Sequence, residues 1–178
     1  MRLLLKVVSA VSFGGLAVGQ VPAVPDVPVV TVCDALNNLA KYKDKSIIVV
    51  GRSTGTMEGQ WLSADCEKKL VTDGFTWSDS ISLSLHGKTE QLPELPDRFE
   101  WDAKLIALKL KEVQQTTRLR QSREGWVAIF GRLETRVPPI VVRRGGGELM
   151  GYGFGHLAGS PAQLIWDHDD PSVRKSLQ

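Results

Sequence analysis

The segment with the most unusual chemistry runs from residue 144 to residue 160, where glycines surround aromatic side chains and one imidazole. Its stretch Gly153-Phe154-Gly155-His156-Leu157-Ala158 fits the letters of the dinucleotide-binding pattern. That pattern works only between a strand and the helix that it opens, because the helix N-terminus holds the pyrophosphate. Here Gly159 and Pro161 follow and argue against a helix, and the complete glycine-rich P-loop pattern is absent. We therefore expect no nucleotide and no other cofactor.

Three side chains of this segment, Tyr152, Phe154 and His156, are candidate ligand contacts. Glycines let the backbone approach a partner closely, because they carry no Cβ. In OB-fold barrels the loop between the fourth and fifth strands borders the usual ligand face. The alternative is a flexible loop whose two aromatic rings fold back to cover the barrel.

Histidine could also act as a general base, and the chain has three, at positions 86, 156 and 168. A hydrolytic triad needs a nucleophile, a base and an orienting carboxylate that meet in space. A nucleophilic serine would lie on a sharp turn from a strand into a helix, and the pattern predicts no serine at such a turn. We therefore favour a non-enzymatic protein and assign no catalytic residue, with a hydrolase centred on His156 as the alternative.

The polar cluster Asp167-His168-Asp169-Asp170 could in principle bind a divalent cation. It lies next to the predicted tail, however, and lacks the glycine turn of a calcium-binding loop. We interpret it as a solvated acidic end and expect no metal site.

Three aromatic residues, Trp61, Phe75 and Trp77, lie where two neighbouring strands would expose a platform. Such platforms stack bases or sugars, so Trp61 and Trp77 are further ligand-binding candidates. The alternative is that these rings fill the core, as aromatic residues on strands commonly do.

These candidates need elements that position them, and the pattern predicts a mostly β chain with one long helix. The β-branched run Ile47-Ile48-Val49-Val50 begins a strand over about residues 46–58. Ile81, Leu83 and Leu85 alternate with serines, which indicates a strand with one buried face. A turn at residues 58–60 leads into a second strand at Trp61-Leu62, between these two. The other predicted elements are a short helix capped by Thr31, a helix from Trp101 to Gly125, a fourth strand over 126–133 that briefly resumes at 141–142, and a fifth strand over 162–166.

Three strands, a helix and two strands follow one another in the order of the OB-fold, a five-stranded Greek-key barrel. Gly51 and Gly55 would let the first strand bend, so that it serves both halves of the barrel. We therefore predict an OB-fold-like five-stranded barrel. The alternative is an open α+β sheet built from the same elements.

The ends of the chain predict export. Residues 1–19 combine two basic residues with an apolar stretch that ends in small residues, as in a cleaved signal peptide. The stretch falls short of the roughly 20 apolar residues of a membrane span, so we expect no span after cleavage. Residues 20–30 form a proline-rich lead-in, 31–168 the domain, and 169–178 a loose polar tail. The predicted location is periplasmic or secreted.

The charge balance bears on the partner. The chain carries 22 basic and 20 acidic side chains, and residues 1–19 hold two basic and no acidic ones, which leaves 20 of each after cleavage. A neutral chain has no long-range attraction for nucleic acid or anionic membranes. The charge therefore argues against a nucleic-acid partner.

The two cysteines, Cys33 and Cys66, predict a disulfide, because an oxidising compartment favours their pairing. The alternative is two buried free thiols. A zinc site is excluded on spacing, because it would need four ligands in close pairs.

Several features occur together over residues 31–166: Cys33 before a short helix, the strand IIVVGRSTGTMEG, Cys66 after Trp61-Leu62, the strand WVAIFGRLET, and Gly-His-Leu before Ser-Pro-Ala-Gln-Leu. With these features the chain resembles small exported OB-fold-like bacterial proteins of unassigned function. The resemblance implies the fold and export, and it implies no catalytic residue.

Taken together, the sequence predicts an exported binding module that uses a barrel face and the glycine-rich residues 144–160 to hold a protein, peptide or glycan. The alternatives are the hydrolase centred on His156 and a protein that binds single-stranded nucleic acid. The sequence predicts no particular ligand and no particular oligomeric state.

Overall fold

The structure, a computed structural model, describes residues 27–85, 91–116 and 125–177. The predicted signal peptide and most of the proline-rich lead-in lie outside the described residues, so both stay predictions. Over the described ranges, no helix is both long and apolar enough to cross a membrane.

The secondary structure follows the local sequence patterns closely. The strands are β1 (Val29–Thr31), β2 (Ser46–Thr56), β3 (Gly59–Ser63), β4 (Val71–Thr72), β5 (Phe75–Thr76), β6 (Ser80–Leu85), β7 (Trp126–Thr135), β8 (Val141–Arg143), β9 (Leu149–Gly151), β10 (Ala162–Trp166) and β11 (Arg174–Ser176). The helices are α1 (Val32–Asn37), α2 (Leu39–Tyr42) and α3 (Ala103–Thr116), with single 3-10 turns at His156–Ala158 and Pro171–Val173.

Five of the strands close into a barrel. β2 pairs antiparallel with β3, β3 antiparallel with β6, β6 parallel with β10, and β10 antiparallel with β7. β7 then pairs antiparallel with β2, from Arg132 opposite Ser46 to Trp126 opposite Arg52. Since α3 lies between the third and fourth barrel strands in the chain, the predicted OB-fold-like barrel is confirmed. The open sheet is wrong, because it would leave β2 and β7 unpaired.

β2 serves both halves of the barrel, as its glycines predict. Residues 46–52 pair with β7, and residues 52–56 pair with β3. At the change of partner, a Cβ on Gly51 would come within 2.7 Å of the Val32 side chain in α1. Glycine at this position therefore lets α1 lie directly against the bent strand.

The β-branched run at the start of β2 is buried on both faces. Ile47, Ile48, Val49 and Val50 are each at most 2 % exposed, because one face lines the barrel and the other packs against helices. Burying one such side chain contributes about 1.5–3 kcal/mol to stability. The largest buried side chains of the other barrel strands are Leu62, Ile81, Phe130, Ile129, Leu133, Leu164 and Ile165.

The helices α1 and α3 are held together by a polar contact. Thr31 and Asp34 form a capping box, in which the Thr31 hydroxyl accepts the Asp34 N–H at 2.9 Å and the Asp34 carboxylate accepts the Thr31 N–H at 3.2 Å. Lys109 of α3 donates to the same carboxylate at 2.8 Å. This contact lies beside the disulfide, because Cys33 is in the first turn of α1.

The same contact shifts the pKa of both charged groups. Partial burial raises the pKa of Asp34, but hydrogen bonds from Lys109 and Thr31 and the charge of Lys109 outweigh it, so that pKa lies below its usual value. Burial lowers the pKa of Lys109, but hydrogen bonds and charge from Asp34 and Glu112 outweigh it, so that pKa lies above its usual value. Both ionised forms are therefore favoured in the folded protein.

The long helix α3 begins after Asp102, whose carboxylate accepts the Leu105 N–H at 2.9 Å. Ile106 and Val113, two turns apart, are buried on one face of the helix. We predicted that this helix extends to Gly125, and its described part ends at Thr116. Residues 117–124 lie outside the described residues.

The predicted disulfide between Cys33 and Cys66 is present, with 5.5 Å between the two Cα atoms. It joins α1 to the loop that follows β3. The Cys66 N–H also donates to the Asp79 carboxylate at 3.1 Å, and Lys69 contacts the same carboxylate. The loop is therefore attached to both α1 and the segment before β6.

The C-terminal tail is not loose, so that prediction is wrong. β11 pairs antiparallel with β7, with Arg174 opposite Ile129, and the Leu177 N–H donates to the Trp126 carbonyl at 2.9 Å. Val173 and Leu177 are buried. These two apolar side chains give the tail a buried face, so the folded unit continues beyond residue 168 to residue 177.

Candidate functional site

Two loops meet at one end of the barrel. Glu58 lies in the turn between β2 and β3, and His156 lies in the loop between β9 and β10. The His156 Nε2 is 3.3 Å from the Glu58 Oε2, with side chains 39 % and 61 % exposed respectively. An ion pair this exposed adds at most about 1 kcal/mol. Its importance is positional, because these two loops border the ligand face of OB-fold barrels.

Trp61 of β3 lies beneath this contact and is half-buried. A Cβ on Gly155 would lie 3.4 Å from the Trp61 Nε1 and only 2.6 Å from the Ser82 hydroxyl of β6. Gly155 also has a φ of 71°, in the left-handed region that favours glycine. Glycine at 155 therefore lets the loop lie directly on strands β3 and β6, next to the indole.

Arg136 was not predicted as a site residue, yet it organises the other side of the loop. Its guanidinium carbon is 5.1 Å from the Tyr152 ring centroid and 4.9 Å from the Phe154 ring centroid. Its Nη1 donates to the Tyr152 carbonyl at 2.8 Å. Each contact between a cation and an aromatic face contributes about 0.5–1 kcal/mol at an exposed site. The local sequence could not reveal this cluster, because Arg136 and Tyr152 are 16 residues apart.

We use the term loop surface for these residues together: Glu58, Trp61, Arg136, Tyr152, Phe154 and His156. Four of the five predicted ligand contacts belong to it, namely Trp61, Tyr152, Phe154 and His156. Tyr152 is the most exposed of its aromatic rings, at 53 %. The surface therefore offers aromatic faces, a guanidinium, an imidazole and a carboxylate within three loops and one strand.

Trp77, the fifth predicted contact, is placed differently. It is only 2 % exposed, its ring meets Phe75 edge-on at 5.0 Å, and its Nε1 donates to the Thr72 hydroxyl at 3.3 Å. The predicted platform of Trp61, Phe75 and Trp77 is therefore wrong for Trp77. This ring is covered by Gly151 and Gly153, so it supports the loop from below.

The glycine-rich residues 144–160 are not one flexible loop. Their first part is the turn of a hairpin between β8 and β9, in which the Arg144 N–H donates to the Glu148 carbonyl at 2.9 Å. Their second part is joined to itself by a bridge between Phe154 and Ser160. The interpretation of these residues as flexible is therefore corrected, since hydrogen bonds and packing hold both parts.

His156 lies next to one partner of a hydrolytic triad, the carboxylate of Glu58. Among the described residues, no serine, threonine or cysteine side chain forms a hydrogen bond with it. The letters of a nucleophile elbow do occur at Gly51-Arg52-Ser53-Thr54-Gly55. That stretch is interior to β2, with Ser53 paired to Leu62, so Ser53 is not on an elbow. His86 lies outside the described residues.

The acidic cluster near the C-terminus brings ligand atoms of Asp167, His168 and Asp169 within 4.8 Å of one another. A local turn explains this, because the Asp167 carboxylate accepts the Asp169 N–H at 3.0 Å. The next residue, Asp170, accepts hydrogen bonds from Ser172 that hold the pKa of Asp170 below its usual value. Turns of this kind are enough to bring such side chains together, and the expectation of no metal site stays a prediction.

No protein-family model, curated protein or solved structure matches the chain. The resemblance to small exported OB-fold-like bacterial proteins therefore stays a prediction.

Proposed function

We propose that the protein is an exported, non-enzymatic binding module that holds a protein, peptide or glycan partner at the loop surface. One observation carries the proposal: His156 and Glu58 bring together the two loops that border the ligand face in OB-fold barrels. The disulfide between Cys33 and Cys66 and the signal-like first 19 residues support export.

The chemistry of the loop surface suits recognition. Tyrosine, tryptophan and arginine are the residue types that contribute most to protein interfaces, and the loop surface contains one of each: Tyr152, Trp61 and Arg136. Arg136 packs against the rings of Tyr152 and Phe154 and binds the backbone between them. A loop held in this way has less conformational freedom to lose on binding, which favours affinity.

The proposal can be tested by nuclear magnetic resonance on the exported chain. We would record ¹H–¹⁵N spectra while adding pools of defined peptides and, separately, pools of defined oligosaccharides. A binding module should show shifts concentrated at residues 56–61 and 152–158. His156→Ala should weaken the detected binding by about 2- to 10-fold, the effect of one lost hydrogen bond.

His168→Ala is the matched control, because His168 is 40 % exposed and lies 3.3 Å from the Asp169 carboxylate. It should leave binding unchanged. Shifts spread evenly over the barrel, or an equal loss of affinity in both variants, would contradict a site at the loop surface.

The hydrolase alternative is kept because the His156–Glu58 pair supplies a base and an orienting carboxylate. It predicts turnover of a fluorogenic ester, peptide or glycoside that His156→Ala lowers by orders of magnitude. We expect no turnover with any of these three substrate classes. Turnover that depends on His156 and not on His168 would replace the binding module by an enzyme.

The nucleic-acid alternative loses support from the burial of Trp77, which removes one ring of the proposed platform. Titration with a labelled single-stranded oligonucleotide at two salt concentrations tests it. Binding through phosphate contacts weakens as the salt concentration rises. We expect no such salt-dependent binding.

A further inference from the structure

A depression of about 500 Å³ opens beside Arg136. Its lining includes Lys43 at the end of α2, Asp73 in the turn between β4 and β5, and Arg136 with the residues that follow it. The volume is within the range of about 300–1,000 Å³ typical of ligand clefts. The depression shares Arg136 with the loop surface, so the two form one continuous surface.

Part of the lining is the apolar segment 137–140, which we call the floor of the depression. Val137 and Ile140 in this segment are 47 % and 43 % exposed. Pro138, which is also exposed, and Pro139, which is buried, lie between them. Tyr152 is attached to this floor, because its N–H donates to the Ile140 carbonyl at 2.8 Å. Three of the large exposed apolar side chains of the described residues therefore lie together, and such a grouping is typical of an interaction site rather than of scattered surface residues.

The lining has more cationic than acidic side chains. Lys43 and Arg136 are cationic, and Asp73 is the acidic side chain of the lining. Within the described ranges, no carboxylate lies within 4.0 Å of Lys43 or Arg136. The depression therefore carries one excess positive charge above an apolar floor.

The guanidinium of Arg136 is held in an orientation that suits binding of an anion. The two rings and the backbone carbonyls of Tyr152 and Gly153 hold its guanidinium in place, and these hydrogen bonds use Nη1 alone. A guanidinium has five N–H donors in a planar fork that matches a carboxylate. Donors on Nε and Nη2 remain for a ligand.

From these features we infer that the depression binds a peptide segment in which a carboxylate side chain is flanked by apolar side chains. This inference rests on the proposed function and names the class of partner. Aliphatic side chains and prolines in the floor match apolar peptide side chains, whereas a sugar would need a free aromatic face. The described lining of the depression contains no aromatic residue, and Arg136 lies against one face of each neighbouring ring, Tyr152 and Phe154. One excess charge is also too little for the phosphate backbone of a nucleic acid.

The test uses fluorescence anisotropy on the exported chain with two pools of labelled octapeptides. In the first pool a central glutamate is flanked by valine, leucine, isoleucine and proline, and in the second pool glutamine replaces the glutamate. The glutamate pool should bind at least about 10-fold more tightly, the effect of a charge-assisted hydrogen bond.

Variants locate the carboxylate. Lys43→Gln and Arg136→Gln should each weaken binding of the glutamate pool and leave the glutamine pool nearly unchanged. Arg144→Gln is the matched control, because Arg144 is exposed in the turn between β8 and β9 and does not line the depression. Asp73→Asn should strengthen binding of the glutamate pool by a few fold. Lys43→Gln keeps the test valid if loss of Arg136 disturbs the loop.

Each other outcome overturns the inference in a distinguishable way. Equal binding of both pools would overturn carboxylate recognition and leave the binding module standing. Binding of oligosaccharides at the loop surface without peptide binding would overturn the peptide partner alone. Failure of every pool would overturn both this inference and the proposed function. Self-association in sedimentation experiments that Arg136→Gln abolishes would identify a second copy of the chain as the occupant, and would also overturn it.

Discussion

Replacing Gly151 or Gly153 with alanine should destabilise the protein, while the same change at Gly145 should not, although all three lie close together in the chain. A Cβ on Gly151 would come within 2.6 Å of the Trp77 ring and 2.8 Å of the Phe75 ring. A Cβ on Gly153 would overlap the Ser160 carbonyl and lie 2.8 Å from the Trp77 ring. A Cβ on Gly145 would meet nothing within 4 Å.

The expected difference can be worked out from these contacts. Overpacking a closely packed site costs about 1–3 kcal/mol, because neighbouring side chains or backbone must shift. The Trp77 ring cannot move outward easily, since it is only 2 % exposed and packs on Phe75. At Gly145 alanine should instead stabilise by about 0.4–1 kcal/mol, because it restricts the unfolded chain. The two classes should therefore differ by about 1.5–4 kcal/mol.

Urea unfolding followed by tryptophan fluorescence and circular dichroism measures this difference. With a dependence on urea of about 2–3 kcal/mol per M, the midpoints should differ by about 0.5–2 M. Equal midpoints for Gly151→Ala and Gly145→Ala would refute the reasoning, because they would mean that the loop does not pack on Trp77. Gly151→Ala should also shift the resonances of Tyr152 and Phe154, whereas Gly145→Ala should leave them in place.

Three further predictions concern the contacts that hold the barrel and its helices together. The double variant Cys33→Ala/Cys66→Ala should lower the free energy of unfolding by roughly 3–4 kcal/mol, because the disulfide closes a loop of about 34 residues; a loss below about 1 kcal/mol in urea unfolding would contradict this. The lowered pKa of Asp34 means that its stabilising contribution is present above the unfolded pKa of about 3.9 and is lost as pH falls through the lower folded pKa. Asp34→Asn should therefore destabilise the protein at pH 6 and have a smaller effect near pH 2, and a pH-independent difference in melting temperature would argue against the Lys109 contact. Removing residues 172–178 should cost at least about 2 kcal/mol, because it exposes the surface that Val173 and Leu177 cover; an unchanged urea midpoint would show that β11 adds no stability.

The loop surface combines an exposed set of side chains with a well-held backbone. Tyr152 and His156 project into solvent, while Gly151, Gly153 and Gly155 lie against Trp77, Ser160 and Ser82. Packing beneath the segment therefore holds its backbone, and side chains that project into solvent can be changed without unfolding the barrel. This separation is what makes His156→Ala informative about binding rather than stability.

The amino-acid sequence alone determined the main elements and their order. The run Ile47-Ile48-Val49-Val50, the alternation from Ile81 to Leu83 and the segment 162–166 each indicated a strand, and Thr31 indicated the start of a helix. These signals are local, because propensity, periodicity and capping depend on residues within a few positions of one another. The pairing of Cys33 with Cys66 was also predictable, since the chain has two cysteines.

Only the tertiary structure decided which side chains meet and which are covered. Trp77 and Trp61 look equivalent in the sequence, yet the chain from Gly151 to Gly153 covers Trp77, and Trp61 stays half-exposed beside Gly155. Arg136 joins the site because β7 ends beside the loop that precedes β10, and the polar tail is ordered because β7 offers it a free edge. Burial and contact depend on which residues the rest of the chain places opposite a side chain. Pairing between strands that are distant in the sequence determines which residues those are.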